Sequence, residues 1–183
     1  NQHFSKKTKK GGAYGDGGVD GEHFDIPAGT NNITFEMWGV WGVDFMKKRQ
    51  ITSVGIPDSV EEIGDSAFRN FPSLRYVNIP DSVTIIGKDA FGVCVSLEKI
   101  EIPNSVTEIG QNAFFDCKAL ASIEIPNSIT EIKDSLFQGC SELNSVIIPD
   151  SVTKIGRDAF MSCIKLTQIA IPNSVTEIGT QAF

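Results

Sequence analysis

Pro57, Pro80, Pro103, Pro126, Pro149 and Pro172 follow one another at intervals of 23 residues, and this register constrains the chain more than any other feature. Phe68, Phe91, Phe114, Phe137, Phe160 and Phe183 keep the same spacing, as do Leu74, Leu97, Leu120, Leu143 and Leu166. A fixed period of this size marks a repeat array in which each repeat is one turn of a coil. A single repeat buries too few apolar side chains to offset the entropy of ordering itself, so stability must come from stacking.

Each repeat reads approximately Ile-Pro-x-Ser-Val-x-x-Ile-Gly-x-x-Ala-Phe-x-x-Cys-x-x-Leu-x-x-Ile-x, as in Ile102 to Glu124. Alternation over Leu97 to Ile102 predicts a short strand with Ile100 and Ile102 turned inward. Proline, which lacks a ladder donor and holds the preceding residue extended, then makes the corner. Ser105 to Ile109 alternates again and predicts a second extended stretch on another wall, and Gly110 permits a turn. Gln111 to Phe114 has no strand pattern and is read as a single helical or 3₁₀ turn that buries the phenylalanine.

These residues resemble the BspA-like leucine-rich repeat family, whose motif is reproduced almost letter for letter by Ile102 to Leu120. The resemblance covers residues 51–183. It implies a β-rich leucine-rich-repeat solenoid, a curved right-handed coil with one short strand per repeat plus extended or 3₁₀ segments. As in many members of that family, it also implies a cell-surface or extracellular protein that adheres to host or matrix proteins. Departures are local: Lys133 replaces the glycine, Leu136 the alanine, and Phe71 stands where later repeats carry cysteine. They put one turn geometry in doubt, not the fold.

The expected organisation is a flexible basic tail over residues 1–10, a glycine-rich segment with a small β cap over 11–44, and the solenoid over 45–183. Phe45, Ile51, Val54 and Ile56 precede Phe68, Leu74, Val77 and Ile79 by one period, so a degenerate repeat with Lys48 at the cysteine position opens the stack. Phe183 belongs to an unfinished repeat with no polar cap after it, so either the natural chain continues or that end stacks on a partner. Ile33 to Trp38 alternates as a strand does. The glycine–aspartate run with Phe24-Asp25 and Val43-Asp44 is similar to jacalin-type lectins. That resemblance implies sugar contacts at Asp16, Asp44, Trp38 and Trp41; the other reading is a glycine-rich linker and a hydrophobic cap on the first repeat.

The chain carries a net charge of −7, which argues against nucleic acid, since phosphate binding needs a basic face. The acidity lies on the repeats, with 17 Asp and Glu against 9 Lys and Arg from Ile51 onward. No apolar run reaches the ~18 residues of a spanning helix, so no membrane insertion is expected. No signal pattern follows Asn1, and the sequon Asn32-Ile33-Thr34 favours secretion only weakly.

Cys94, Cys117, Cys140 and Cys163 share one repeat position, so their spacing follows the coil and reads as a column of small buried thiols, not a zinc site. With only His3 and His23, a Ser-His-Asp arrangement is hard to assemble, and paired acids on open walls lack a desolvated pocket. No catalytic residue, metal ligand or cofactor is therefore expected. Calcium at Asp16, Asp20 and Glu22 fits neither the EF-hand nor the nonapeptide spacing.

Outward strand positions vary from repeat to repeat without a packing reason. Asn78, Glu101, Glu124, Ile147 and Ala170 form one column beside Tyr76, Lys99, Ser122, Ser145 and Gln168. Glu101 and Glu124 would be like-charged neighbours, neutralised by Lys99 or by a basic partner. Tyr76, Asn78, Lys99, Glu101, Glu124, Ile147 and Ala170 are accordingly the expected partner-binding residues of a non-enzymatic interaction or adhesion module. A structural subunit that self-associates through its ends, and carbohydrate binding by the N-terminal segment, are the alternatives.

Overall fold

The computed structural model describes residues 21–183 as a stack of coils in which successive turns of chain add rungs to two β walls, the last turn to the second wall alone. In chain order the elements are β1 (Glu22–Asp25), β2 (Asn32–Ile33), α1 (Met37–Val40), α2 (Phe45–Lys48), β3 (Ile51–Gly55), β4 (Glu62–Ile63) and β5 (Tyr76–Asn78). They continue with β6 (Ile85–Ile86), β7 (Lys99–Glu101), β8 (Glu108–Ile109), β9 (Ser122–Glu124), β10 (Glu131–Ile132), β11 (Ser145–Ile147), β12 (Lys154–Ile155) and β13 (Glu177–Ile178). The first wall is the parallel order β1-β3-β5-β7 followed by β9-β11. The second is β2-β4-β6-β8 followed by β10-β12-β13. Register is one repeat per rung, with Tyr76 opposite Lys99 and Asn78 opposite Glu101.

The inward frame packs as its period requires. Val83, Ile86, Phe91, Cys94 and Leu97 of one coil are fully buried, as are Val106, Phe114, Cys117 and Leu120 of the next. Because repeats are in register, identical side chains meet. The rings of Phe68, Phe91, Phe114, Phe137, Phe160 and Phe183 stack with centroids 5.0 to 5.6 Å apart, an offset arrangement that avoids the face-on repulsion of the ring quadrupoles.

The third wall, expected as a helical or 3₁₀ turn, is a chain of alternating bonds. Ala67 and Arg69 close turns to Gly64 and Ser66, while Ser66, Phe68 and Asn70 donate to Lys88, Ala90 and Gly92 of the next coil. Such alternation needs left-handed backbone at two positions per repeat. These are Ser66, Asp89, Asn112, Ser135, Asp158 and Gln181 in one column and Asn70, Val93, Asp116, Gly139 and Ser162 in the other, all at φ between 54° and 78°. Short polar residues and glycine tolerate that region best, which is why these apparently featureless positions are polar or glycine in every repeat but for Val93.

The stack begins earlier than Phe45. Phe45 is 57% exposed, and Trp38 fills the core position beneath Phe68, its indole N–H donating to the Ala67 carbonyl. β1 pairs with β3, and Ile26, Thr30 and Ile33 take the buried places of Ile56, Val60 and Ile63. The expected strand over Ile33 to Trp38 therefore ends at Ile33 and turns into α1. This first coil is seven residues longer than the others, and the excess, wound into α1 and α2, places it off the 23-residue register. Lys48, at the cysteine position, lies over the Phe35 and Phe71 rings at 4.2 and 5.3 Å, and burial lowers its pKa.

Both β walls are interrupted at the same interface, between the coil of β7 and β8 and the coil of β9 and β10. The second wall brings successive backbones so close that a Cβ at Gly87 would stand 2.6 Å from the Asp65 nitrogen, and one at Gly156 2.6 Å from that of Asp134. Lys133 carries a Cβ in this column, so its coil cannot close on Gly110. Gly110 donates to Ile86 and Gly156 to Ile132, and Thr107 donates to Thr84 and Thr153 to Thr130. Among the described residues the matching bonds from Lys133 to Ile109 and from Thr130 to Thr107 are missing. The third wall holds across the step. Phe114 N donates to Leu136 O at 3.1 Å, against 2.7 to 2.8 Å for the same bond at Phe68, Phe91, Phe137 and Phe160. The departure at Lys133 thus leaves the local turn intact, with Ser135 at the usual φ of 55°, and acts on the ladders.

Candidate protein-binding face

The strand rungs place the candidate residues side by side on the first wall. Asn78 pairs in register with Glu101, and Glu124 with Ile147. Asn78, Lys99, Glu101, Glu124, Ile147 and Ala170 are exposed and Tyr76 is half-buried. Ala170 lies beyond the last strand of this wall. Ile147 is 56% exposed and forms the apolar step of the face.

Two of these residues are tied down by neighbours. The Lys99 ammonium lies 2.7 Å from Glu101, so it neutralises that carboxylate as expected, while no ion pair joins Glu124 among the described residues. The Tyr76 hydroxyl donates to Glu98 at 2.7 Å, and Arg75 grips the other oxygen of Glu98 at 2.6 to 2.8 Å. The bond from Tyr76, joined by those from Arg75, holds the Glu98 carboxyl below its ordinary pKa. Sequence reasoning missed this Arg75–Glu98–Tyr76 group: Arg75 and Glu98 hold the same repeat position one period apart, a position left out of the outward columns, and only the coil brings their side chains to Tyr76.

Along the rungs at the interrupted interface the wall opens into a cleft of about 640 Å³ lined by Ile100 to Asn104 on one side and Ser122 to Glu124 and Pro126 on the other. The corner isoleucine shows the effect. Ile56, Ile79, Ile125 and Ile148 are 2 to 9% exposed, whereas Ile102 is only half-buried.

At the opposite end of the same wall, His23 Nδ1 lies 2.8 Å from Ser53 Oγ and its Nε2 3.0 Å from Asp25 Oδ1. A Ser-His-Asp order, hard to assemble from the sequence, is therefore assembled by the pairing of β1 with β3. Its histidine and aspartate side chains are 53% and 84% exposed. On an open strand they lack the water-excluded environment that gives such a relay its strength.

The four thiols are buried, and each lies 3.1 to 3.2 Å from a phenylalanine carbonyl of the preceding coil. Burial pushes Cys94 up to about 12 and Cys163 up to about 11, the wrong direction for a nucleophile. Of the lectin-type candidates, Trp38 is completely buried and cannot face a sugar, and Trp41 packs on the core beside it. The Asp44 carboxylate accepts from Lys47 N as the cap of α2. Asp16 and Asp20 lie outside the described residues. The Asn32 side-chain amide, the glycan acceptor of the sequon, donates to Glu62 at 3.1 Å.

The family description "BspA type Leucine rich repeat region" matches in six copies, over residues 43–164 and 131–183. No curated protein matches the chain. Among solved structures, a leucine rich cell surface protein from Faecalibacterium prausnitzii is 40% identical, with a TM-score of 0.77 over 89% of this chain and 45% of its own. A leucine-rich repeat protein of T. pallidum is 32% identical (TM-score 0.71, covering 80% of this chain and 65% of its own). A leucine-rich repeat protein from Bacteroides ovatus is 30% identical (TM-score 0.75, covering 86% and 39%). The chain spans between 39% and 65% of the length of these relatives. With the repeat frame matched over most of its length and built as stacked coils, the chain belongs to the BspA-type leucine-rich repeat family.

Proposed function

We propose that this chain is a protein-binding or adhesion module, displayed at a cell surface or outside the cell, that engages its partner through the outward residues of the first wall. One observation carries the reading. Inward positions repeat almost unchanged, whereas Asn78, Glu101, Glu124, Ile147 and Ala170, equivalent in the repeat, differ in charge, size and polarity. A broad exposed face suits a macromolecule better than a metabolite, which needs an enclosed pocket. That the Faecalibacterium relative is a cell surface protein supports the location. The raised thiols and the open polar groups favour binding over catalysis.

The test places a photo-crosslinking amino acid at position 147 and, as a control, at position 107 on the second wall, and exposes both proteins to purified matrix proteins and to intact cells. Crosslinks from 147 alone are expected. Ile147→Asp combined with Asn78→Ala should weaken the captured partner at least tenfold, about 1.4 kcal/mol, with an unchanged melting temperature. Tyr76 is left in place because its hydroxyl anchors Glu98. Binding that survives the double change but disappears on deleting residues 1–20 moves the function to the N-terminal segment. Light scattering that shows self-association abolished by neither change favours a structural subunit.

A further inference from the structure

The step at Lys133 has a chemical consequence on the first wall. Opening the stack there leaves Ile102 half-buried in the lining of the 640 Å³ cleft, beside Pro103 and with Ile147 exposed along one side. Three carboxylates, Asp81, Glu101 and Glu124, line the cleft against the single ammonium of Lys99. The cleft follows the strand direction, so an extended chain laid along it presents alternate side chains to the floor and to the rim. Complementarity then asks for apolar residues downward and cations at the rim.

We propose that this cleft is the docking site for an extended segment of a partner protein in which basic and apolar residues alternate, and that Lys133 acts as the positioning residue that keeps it open. The proposal rests on the reading of the first wall as the binding face, and it narrows that face to one interface and one peptide chemistry. Lys133 touches no part of the ligand. Its ammonium is held by Glu131 at 2.6 Å on the second wall, and its effect passes through the spacing of the two coils.

The experiment uses the whole chain, labelled with ¹⁵N, and titrates it with an acetylated hexapeptide of alternating lysine and valine, and separately with one of alternating glutamate and valine. With the lysine peptide, amide shifts should concentrate at Ile100 to Asn104 and Ser122 to Glu124; with the glutamate peptide they should be absent. Glu124→Lys should weaken the lysine peptide at least tenfold. Lys133→Gly, which restores the residue of the other repeats, should weaken it by a similar factor while the amides of residues 130 and 133 become protected from exchange. Shifts spread evenly over the acidic walls, or a Lys133→Gly protein that gains this protection and still binds as the parent does, would overturn the proposal. A Lys133→Gly protein whose amides gain no protection would remove Lys133 as the prop and overturn it equally. Crosslinking from position 147 that persists in any of these cases leaves the binding-face reading standing.

Discussion

The interface at Lys133 and the interfaces on either side of it are built from nearly the same residues, yet one is open on two walls and the others are closed. Elsewhere the absence of a single Cβ lets backbones approach within hydrogen-bonding distance, as at Gly87 and Gly156. At Lys133 that atom is present, and both ladders stop. The third wall continues, since Asn112, Phe114 and Asp116 still donate to the next coil. A solenoid of this kind is therefore held by three semi-independent ladders: the second follows the glycine column, the first ends both at the Lys133 step and after β11, where Gly179 still closes the second wall, and the third continues through the step.

The largest effect should come from the wall that the step does not interrupt. Phe91→Ala and Phe114→Ala remove rings of the same stack, the first between closed interfaces and the second beside the open one. Each should lower stability by about 3 to 5 kcal/mol in denaturant titration, as deletion of a fully buried aromatic does. A loss at Phe114 much smaller than at Phe91 would mean that the stack is itself broken there. The outward change Glu101→Gln should hardly move the midpoint.

Transplanting the step is the next test. Gly110→Lys places a side chain against the Lys88 nitrogen and should reproduce the opening one coil earlier. We expect a loss of about 1 to 3 kcal/mol, typical of overpacking a close contact, with faster amide exchange at residues 107 and 110. Unchanged exchange would show that something other than the missing Cβ closes these interfaces.

What could be read from the sequence follows the same division. Prolines, phenylalanines and leucines at 23-residue intervals revealed the coil and its inward face, because each does one packing job in every repeat. The step was not legible, although Lys133 stood out, because its consequence depends on how near the preceding backbone lies. The first coil escaped for another reason. Ile26-Pro27 repeats the corner motif, but Pro27 precedes Pro57 by 30 residues, so a fixed period selects exposed Phe45 over buried Trp38. The candidate face could be named from the sequence, whereas the Arg75–Glu98–Tyr76 group and the cleft required the stacking of neighbouring coils.

The thiol column compares an inner coil with an outer one. Cys94 is fully buried with its pKa raised to about 12, and Cys163, 8% exposed near the last coil, is raised to about 11. In an unfolded chain both titrate near the ordinary thiol value, so their burial stabilises the fold fully below that pH. The contribution is lost as pH rises through the folded values, because the unfolded state then releases protons that the native state retains. Stability should therefore decline above about pH 9, and less steeply when the column is replaced by alanine. Iodoacetamide at pH 9 should reach Cys163 before Cys94, and the reverse order, followed by peptide mass mapping, would contradict the assigned burial.

The smallest effect concerns one residue out of place within a regular column. Asn70, Asp116, Gly139 and Ser162 occupy the second left-handed position with residues suited to it, but Val93 holds φ at 61° with a branched Cβ. Its N–H still donates to Phe115 at 2.7 Å, so the backbone is kept there by the ladder against the preference of the side chain. Left-handed backbone costs an ordinary residue roughly 1 to 2 kcal/mol, and asparagine less. Val93 is half-buried, so Val93→Asn also gives up some apolar contact, and the net gain should be about 0.5 to 1 kcal/mol. The reverse exchange, Asn70→Val, should destabilise by a similar amount at a site with the same geometry. Opposite and nearly equal midpoint shifts would show that backbone conformation governs the column. Two losses would show instead that contacts around Val93 outweigh it.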